Sequence, residues 1–358
     1  IKQGVAVGFF RKLPKENHKK TINHQHLWGS RKNQKSTYEG KYEFLKRYNF
    51  SKVDWNELNP TASFYYFIAQ NVDIRDEYED YWKLTDLMPH FGAGIITARD
   101  HFITDFEDAS LIKRLNLFYD SKVSDEWIKE NLEIKDNSMW NLSKARKNFR
   151  KSPIQKDLLM NFLYRPFDYR RIYYETNVVF NMRIQVMSHM LKPNLAIITT
   201  RQTRDTFSVM ATREIAGHKS VAAYDVNSIF PLYIYPSVGE SEHTLIETEP
   251  SLNISSLFLD QLIARLKINS SEKKAISPEK VIFYIYAILH SPGYRTRYIE
   301  FLKTNFPNIP TTSILELFYK LSEFGSCLVA LHTMESTAQN KHPTVPIGTG
   351  EFRVEKIT

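Results

Sequence analysis

This 358-residue sequence predicts an α+β fold. Three observations lead there. Short strand-like segments concentrate between residues 161 and 235. Residues 107–150 read as helix in several pieces. Residues 255–332 keep helical apolar spacing almost throughout.

The elements follow in chain order. Gly4 to Lys12 is apolar and partly β-branched, and Thr21 to Trp28 follows a polar turn, so the two read as a hairpin with a long loop. Ser36 to Arg47 reads as a helix with Tyr38, Tyr42 and Leu45 on one face. Trp55 to Pro60 reads as a break, Phe64 to Ile68 as an aromatic strand, and Asp73 to Trp82 as an acidic helix. The glycines of Phe91 to Asp100 predict a tight backbone approach or a bulge. Asn161 to Tyr174, Val178 to Met182, Asn194 to Thr200 and Phe230 to Tyr235 read as strands. Ser237 to Asn253 is a polar loop and a plausible boundary. Helices are expected at Leu257–Leu266, Pro278–His290, Arg295–Phe306 and Ser313–His332, with Pro278 near a start. The last 25 residues read as a loop with at most one edge strand.

Composition excludes several classes. Hydrophobic residues make up 42% and charged residues 25%, which are globular values. No apolar run approaches the roughly eighteen residues of a membrane span. The single cysteine, Cys327, excludes an intramolecular disulfide framework and a four-cysteine zinc site, and a reducing cytoplasm is the simple reading. The chain starts at Ile1-Lys2-Gln3-Gly4, with no initiator Met and no signal peptide, and reads as part of a longer polypeptide.

The net charge of +8 is unevenly placed: +9 over residues 1–50, −9 over 51–143, +10 over 144–219 and −2 over the remainder. Two basic blocks around an acidic one point to a polyanion, or to a basic protein with solvated charges. Across 165–213 there are seven arginines against one lysine. Arginine suits bidentate recognition of phosphate or a guanine edge, and Gln202, beside Arg201, suits an adenine edge. The candidate DNA contacts are Lys144, Arg146, Lys147, Arg150, Arg170, Arg171, Arg183, Arg201, Gln202, Arg204 and Arg213, expected to line one concave wall. The alternative for any strand-borne arginine is a pairing with a carboxylate of the fold.

Other motifs are weaker. Gly92-Ala93-Gly94 and Gly348-Thr349-Gly350 lack the third glycine and the βαβ frame of a dinucleotide site. His24 and His26 share a strand face but have no third ligand, so no metal site is expected. Cys327 reads as core, and the carboxylates of 73–86 read as a solvated face.

Several segments together resemble a known family. Tyr164 to Arg170 (YRPFDYR) with Tyr173-Tyr174, Arg183 to Leu191 (RIQVMSHML), Leu195 to Gln202 (LAIITTRQ), Phe230 to Pro236 (FPLYIYP) and Lys280 to Pro310 (KVIFYIYAILHSPGYRTRYIEFLKTNFPNIP) occur in the order found in Type ISP restriction–modification enzymes. Those enzymes are similar to Type IIG enzymes in this region. The resemblance implies the end of an N6-adenine methyltransferase domain over 1–50, as a hairpin and helix closing its sheet. It implies a mixed target recognition domain over 60–250, a helical module over 255–332 and a tail over 333–358. It implies double-stranded DNA as partner, together with methyltransferase, helicase-like and nuclease domains of the same polypeptide. AdoMet, ATP and Mg²⁺ belong to that parent and none to this stretch. The glycine motif for AdoMet and the Asn-Pro-Pro-Tyr motif are absent, so no catalytic residue is transferred. The expected function is sequence-specific DNA recognition in the cytoplasm, without catalysis. The alternatives are an interaction module for other domains of the parent, or residual nuclease or methyltransferase activity.

Overall fold

The computed structural model describes residues 8–12, 21–27, 40–58, 60, 65, 67, 74–204, 206–236, 249–268 and 276–336. The chain divides into two compact units, 1–73 and 74–358.

In the first unit, β1 (Ile22–His24) is followed by α1 (Lys41–Arg47) and β2 (Asn56–Leu58). β1 pairs antiparallel with β2, Asn23 opposite Glu57. That corrects two expectations. Residues 8–12 carry no strand and leave Phe9 and Phe10 about nine-tenths exposed, and Trp55 to Pro60 contains a strand where a break is predicted. β2 is three residues long and mostly polar, so it has no alternation to read and is defined only by its distant partner. Residues 4–7 lie outside the described residues. So does most of 64–68, of which Tyr65 and Phe67 are described and are not in a strand.

The second unit opens with α2 (Arg75–Glu79), β3 (Trp82–Lys83), α3 (Leu84–Leu87) and β4 (Gly92–Ala93). Next come α4 (Asp100–Ile103), β5 (Thr104–Asp105), α5 (Asp108–Tyr119), α6 (Asp125–Asn131) and α7 (Leu142–Phe149), the helical pieces expected over 107–150. Ser124 and Asn141 cap α6 and α7, their side chains accepting from Trp127 N and Lys144 N.

Then follow β6 (Leu159–Arg165), β7 (Asp168–Tyr173), α8 (Ile184–Met190), β8 (Ala196–Thr200), β9 (Val209–Thr212), β10 (Ile215–Ala216), β11 (Asn227–Pro231), β12 (Tyr233–Ile234) and β13 (Ser251–Leu252). The expected strand over Val178 to Met182 is not one: Val178 and Val179 are buried, and Asn181 makes a single bridge to Ile96. The chain closes with α9 (Ser256–Arg265), α10 (Pro278–His290), α11 (Pro292–Arg297), α12 (Ile299–Leu302), β14 (Asn308–Ile309) and α13 (Leu315–His332). Pro278 sits in the first turn of α10 and Ser277 caps it.

Two four-stranded sheets organise this unit, ordered β10-β6-β7-β5 and β4-β11-β8-β9. The segment after β4 joins them. Gly94 N donates to Asn227 O, and the next residues switch partners: Ile95 N donates to Ala216 O and His218 N to Ile95 O, each at 2.9 Å. A Cβ on Gly94 would lie 2.4 Å from the Gly217 backbone, so the close approach expected of these glycines is present.

The β4-β11-β8-β9 sheet is covered on both faces. Leu195, Ile197, Val209, Ala211 and Phe230 join one apolar core with α9, α10, α12 and α13. Ala196, Ile198, Met210 and Ile229 join a second core with α4, α5, α7, α8 and the other sheet. Double coverage explains why Ala196 to Thr200 is buried at every position. α10 is buried nearly all round, and α13 lies on it so closely that a Cβ at Gly325 would meet Phe283 O at 1.8 Å. Cys327, read as core, is instead exposed on α13.

Candidate nucleic-acid interface

Register places five chain segments at one edge of the second unit. β6 ends at Arg165, β8 ends at Thr200 opposite the start of β11 at Asn227, β10 runs parallel to β6 and ends at Ala216, and the 92–96 segment ends beside Gly217. The connecting loops, 97–99, 166–167, 201–208 and 217–226, therefore emerge together. Hydrogen bonds tie them to one another. Arg165 Nη1 donates to Lys219 O, Val221 N donates to Asn227 Oδ1 at 2.6 Å, and Arg204 N donates to Asp225 Oδ2 at 3.2 Å. Thr203 N donates to Lys303 O, fixing the middle of the 201–208 loop against the helical layer. Arg201, Gln202 and Arg204 point outward from that loop and are exposed, next to exposed Tyr224 and Val226.

Between these loops lies a cleft of about 510 Å³, lined by Thr97, Asp100, Tyr164, Arg165, His218 and Lys219 among others. The Tyr164 hydroxyl donates to Asp100 Oδ2 at 2.7 Å, and Thr97 Oγ1 donates to the other oxygen. The carboxylate oxygens are thus occupied, and Arg165 and Lys219 outnumber this one negative charge in the lining. Tyr164 is held between two guanidinium groups, Arg165 at 4.3 Å and Arg170 at 3.8 Å from its ring centre. Burial, then the bond to Asp100, raises the Tyr164 hydroxyl above its ordinary value. Burial also lowers His218, whose Nδ1 bonds Ile95 O at 3.0 Å. A carbonyl oxygen can only accept, so Nδ1 carries the proton and Nε2 of the neutral ring is an acceptor.

The remaining candidate residues do not join this edge as one wall. Arg146 is a correction: it is 2% exposed, and its guanidinium donates to Asp125 and to the carbonyls of Phe118, Asp120 and Val123. Four of its five N–H donors are committed around the turn between α5 and α6, and burial keeps the group from DNA. Arg150 donates to Tyr119 O and Asp120 O. Arg171 bonds Asp108, Asn161 and Leu159 O, and Arg213 pairs with Glu335 at 2.6 Å. Arg170 reaches the edge but is forked onto buried Asp168. Arg183 opens α8 at φ 53°, with its Nε buried and unbonded among the described residues. Lys144 and Lys147 are exposed on α7, which packs on α5. Sequence reasoning overlooked His218 and Lys219, whose only signal is a Gly-His-Lys-Ser turn directly after a strand.

The described carboxylates of 73–86 are solvated as expected: Asp76, Glu77, Glu79, Asp80 and Asp86 are all exposed, and Glu77 has a structural task besides. Glu77 accepts from Arg297, Tyr298 and Tyr81, which together hold its carboxyl down at about 2 and dock α2 onto α11 and α12. It therefore does not pair with the 144–151 run, whose Arg146 uses Asp125 instead. The rings of His24 and His26 lie 4.4 Å apart. No group of three or more His, Cys, Asp or Glu among the described residues could hold a metal ion. No helix among them is long and apolar enough to cross a membrane.

Residues 86–358 match the family described as the Type ISP C-terminal specificity domain. No curated protein matches the sequence. Solved structures share the fold, three of them as follows. A cryo-EM DrdV–DNA complex superposes with a TM-score of 0.61 at 20% identity, covering 82% of this chain and 29% of that one. The ATP-dependent Type ISP restriction–modification enzyme LlaBIII, bound to DNA, gives 0.56 at 19%, covering 78% and 18%. A nuclease-deletion mutant of the Type ISP enzyme LlaGI, in complex with a DNA substrate mimic, gives 0.53 at 19%, covering 79% and 26%. The chain thus spans less than a third of the length of each.

Proposed function

The chain belongs to the Type ISP C-terminal specificity domain family, and on that premise we propose that it reads the target sequence of double-stranded DNA for a restriction–modification enzyme. The observation that carries the reading is the 201–208 loop. It presents Arg201, Gln202 and Arg204 outward from a doubly covered sheet, and its backbone is fixed by Lys303 and Asp225. Base edges in a major groove are read by arginine and glutamine side chains long enough to reach them from a fixed backbone, and phosphate contacts set the register. The DNA-bound state of all three structural neighbours supports the same partner.

Adenine N6 methylation and DNA cleavage, with AdoMet, ATP and Mg²⁺, belong in this reading to methyltransferase, helicase-like and nuclease segments of a longer cytoplasmic polypeptide. The 358 residues themselves bind without turnover. A duplex-binding titration tests the reading. Affinity falls steeply with salt as phosphates release counterions. Arg201→Ala relaxes the preference at one base position, a loss of about 1–3 kcal/mol in discrimination. Lys147→Ala weakens binding to all sequences alike if α7 touches backbone. Failure to retain any duplex at low salt overturns the proposal, and turnover of DNA with AdoMet or with metal overturns the inert assignment.

A further inference from the structure

The cleft between the edge loops has a feature that base reading does not need. Arg165 is half-buried, stacked 4.3 Å from the centre of Tyr164, and tethered through Nη1 alone, which donates to Tyr164 O at 2.9 Å and Lys219 O at 3.1 Å. Its Nε and Nη2 make no hydrogen bond among the described residues. These two N–H groups form the side-on fork of the guanidinium, the edge that matches two oxygens of a phosphate. The Lys219 side chain lines the same cleft, half-buried, with no hydrogen bond or ion pair among the described residues. Asp100, the carboxylate of the cleft, already accepts from Thr97 and Tyr164. The cleft thus sets two cations against one carboxylate whose oxygens are already taken by hydroxyls, leaving a net positive lining with one cation oriented in advance.

We infer that this cleft is a binding site for one backbone phosphate of the duplex, held by the free fork of Arg165 and by Lys219. The inference rests on the DNA-recognition reading and assigns a separate task within it. The cleft anchors register without regard to sequence, and the 201–208 loop reads bases. Fixing the guanidinium on Tyr164 and two carbonyls removes the ordering cost that a free side chain meets on binding.

The test uses the full 358-residue chain and a pool of 30-base-pair duplexes of random sequence. Arg165→Gln and Lys219→Gln are titrated against the pool over a salt series. After one round of selection, the bound duplexes are sequenced. Lys219→Gln keeps the backbone carbonyl that holds Arg165, so it stands if Arg165→Gln fails to fold by thermal melting. Each variant is expected to bind about 10- to 100-fold more weakly at low salt. Each is also expected to have a shallower log K against log salt slope, by up to about 0.9 because the two cations share one phosphate, with the base preference of the selected pool unchanged. An unchanged slope in Lys219→Gln overturns the inference. So does loss of one base preference at constant slope in Arg165→Gln, which would make the fork a guanine reader. Absence of wild-type binding to the pool takes down the underlying reading, and the phosphate site falls with it.

Discussion

Gly94→Ala is the sharpest probe of how the two sheets carry the edge loops. The added methyl would stand 2.4 Å from the carbonyl carbon and oxygen of Gly217 and 2.7 Å from Ala216 O, all backbone atoms with no rotamer to yield. Ordinary contact begins near 3.4 Å, so the 92–96 segment and the 215–217 segment must separate by about 1 Å. Two 2.9 Å bonds cross that seam, Ile95 N to Ala216 O and His218 N to Ile95 O. Losing both costs about 1–3 kcal/mol, and forcing extra volume into a packed seam costs about 1–3 kcal/mol more. The expected loss is therefore about 2–6 kcal/mol in urea unfolding followed by circular dichroism, as a lower midpoint at constant slope. Gly293→Ala is the matched control: its nearest atom is Ser291 Oγ at 3.9 Å, in the first turn of α11, where alanine fits. Should both variants unfold within about 0.5 kcal/mol of each other, below the size of one lost hydrogen bond, the seam does not hold the edge as described.

Three further outcomes follow from the same contacts. Gly325→Ala places a methyl 1.8 Å from Phe283 O and should lower stability by about 3 kcal/mol or more, read as a fall in melting temperature, by prising α13 off α10. Arg146→Met should cost about 3–5 kcal/mol in the same assay by stranding Asp125 and three carbonyls, while the folded fraction keeps wild-type DNA affinity. Burial, with Arg295 and His332 alongside, holds the His290 imidazole down at about 3 against an ordinary 6.5. The unfolded chain therefore takes up a proton that the folded chain refuses. The stability this neutral ring contributes is complete above pH 6.5 and is lost as pH falls toward 3, at no more than about 1.4 kcal/mol per pH unit. His290→Gln should flatten that part of the stability curve between pH 4.5 and 6.5, a window chosen to stay above the range where Glu77 takes up its proton.

Legibility tracked how local the determining physics is. α10 and α13 announce themselves because each buries an apolar face of many turns, and Ser277-Pro278 marks the start of the first. β8 is long enough to show a strand-like apolar run, whereas the strand expected over Asn161 to Tyr174 is two, β6 and β7, paired across a turn that the polar DYRRIY of β7 does not mark. β3 and β14 are two residues each, and their pairing spans over 200 positions, so nothing nearby in the chain signals them. Arg146 looked like a DNA contact because its run is basic. Its real partners are carbonyls of residues 118–123, which no side-chain pattern records. Cys327 sits in an apolar run, but α13 turns that side outward beside exposed Phe324. At the edge, Arg201, Gln202 and Arg204 were readable as residue types in a loop after a strand. The cleft was not, because it is closed by three loops separated by more than fifty residues from one to the next.

The sheet bearing the 201–208 loop is gripped from both sides, by one core through Leu195 and Ile197 and by another through Ala196 and Ile198. Neither core reaches the side chains of Arg201, Gln202 and Arg204, which stand clear of both. Letters in that loop are therefore interchangeable at little thermodynamic risk. On the proposed reading of this loop, a descendant protein can acquire a new recognition sequence by rewriting three outward positions on an unaltered chassis.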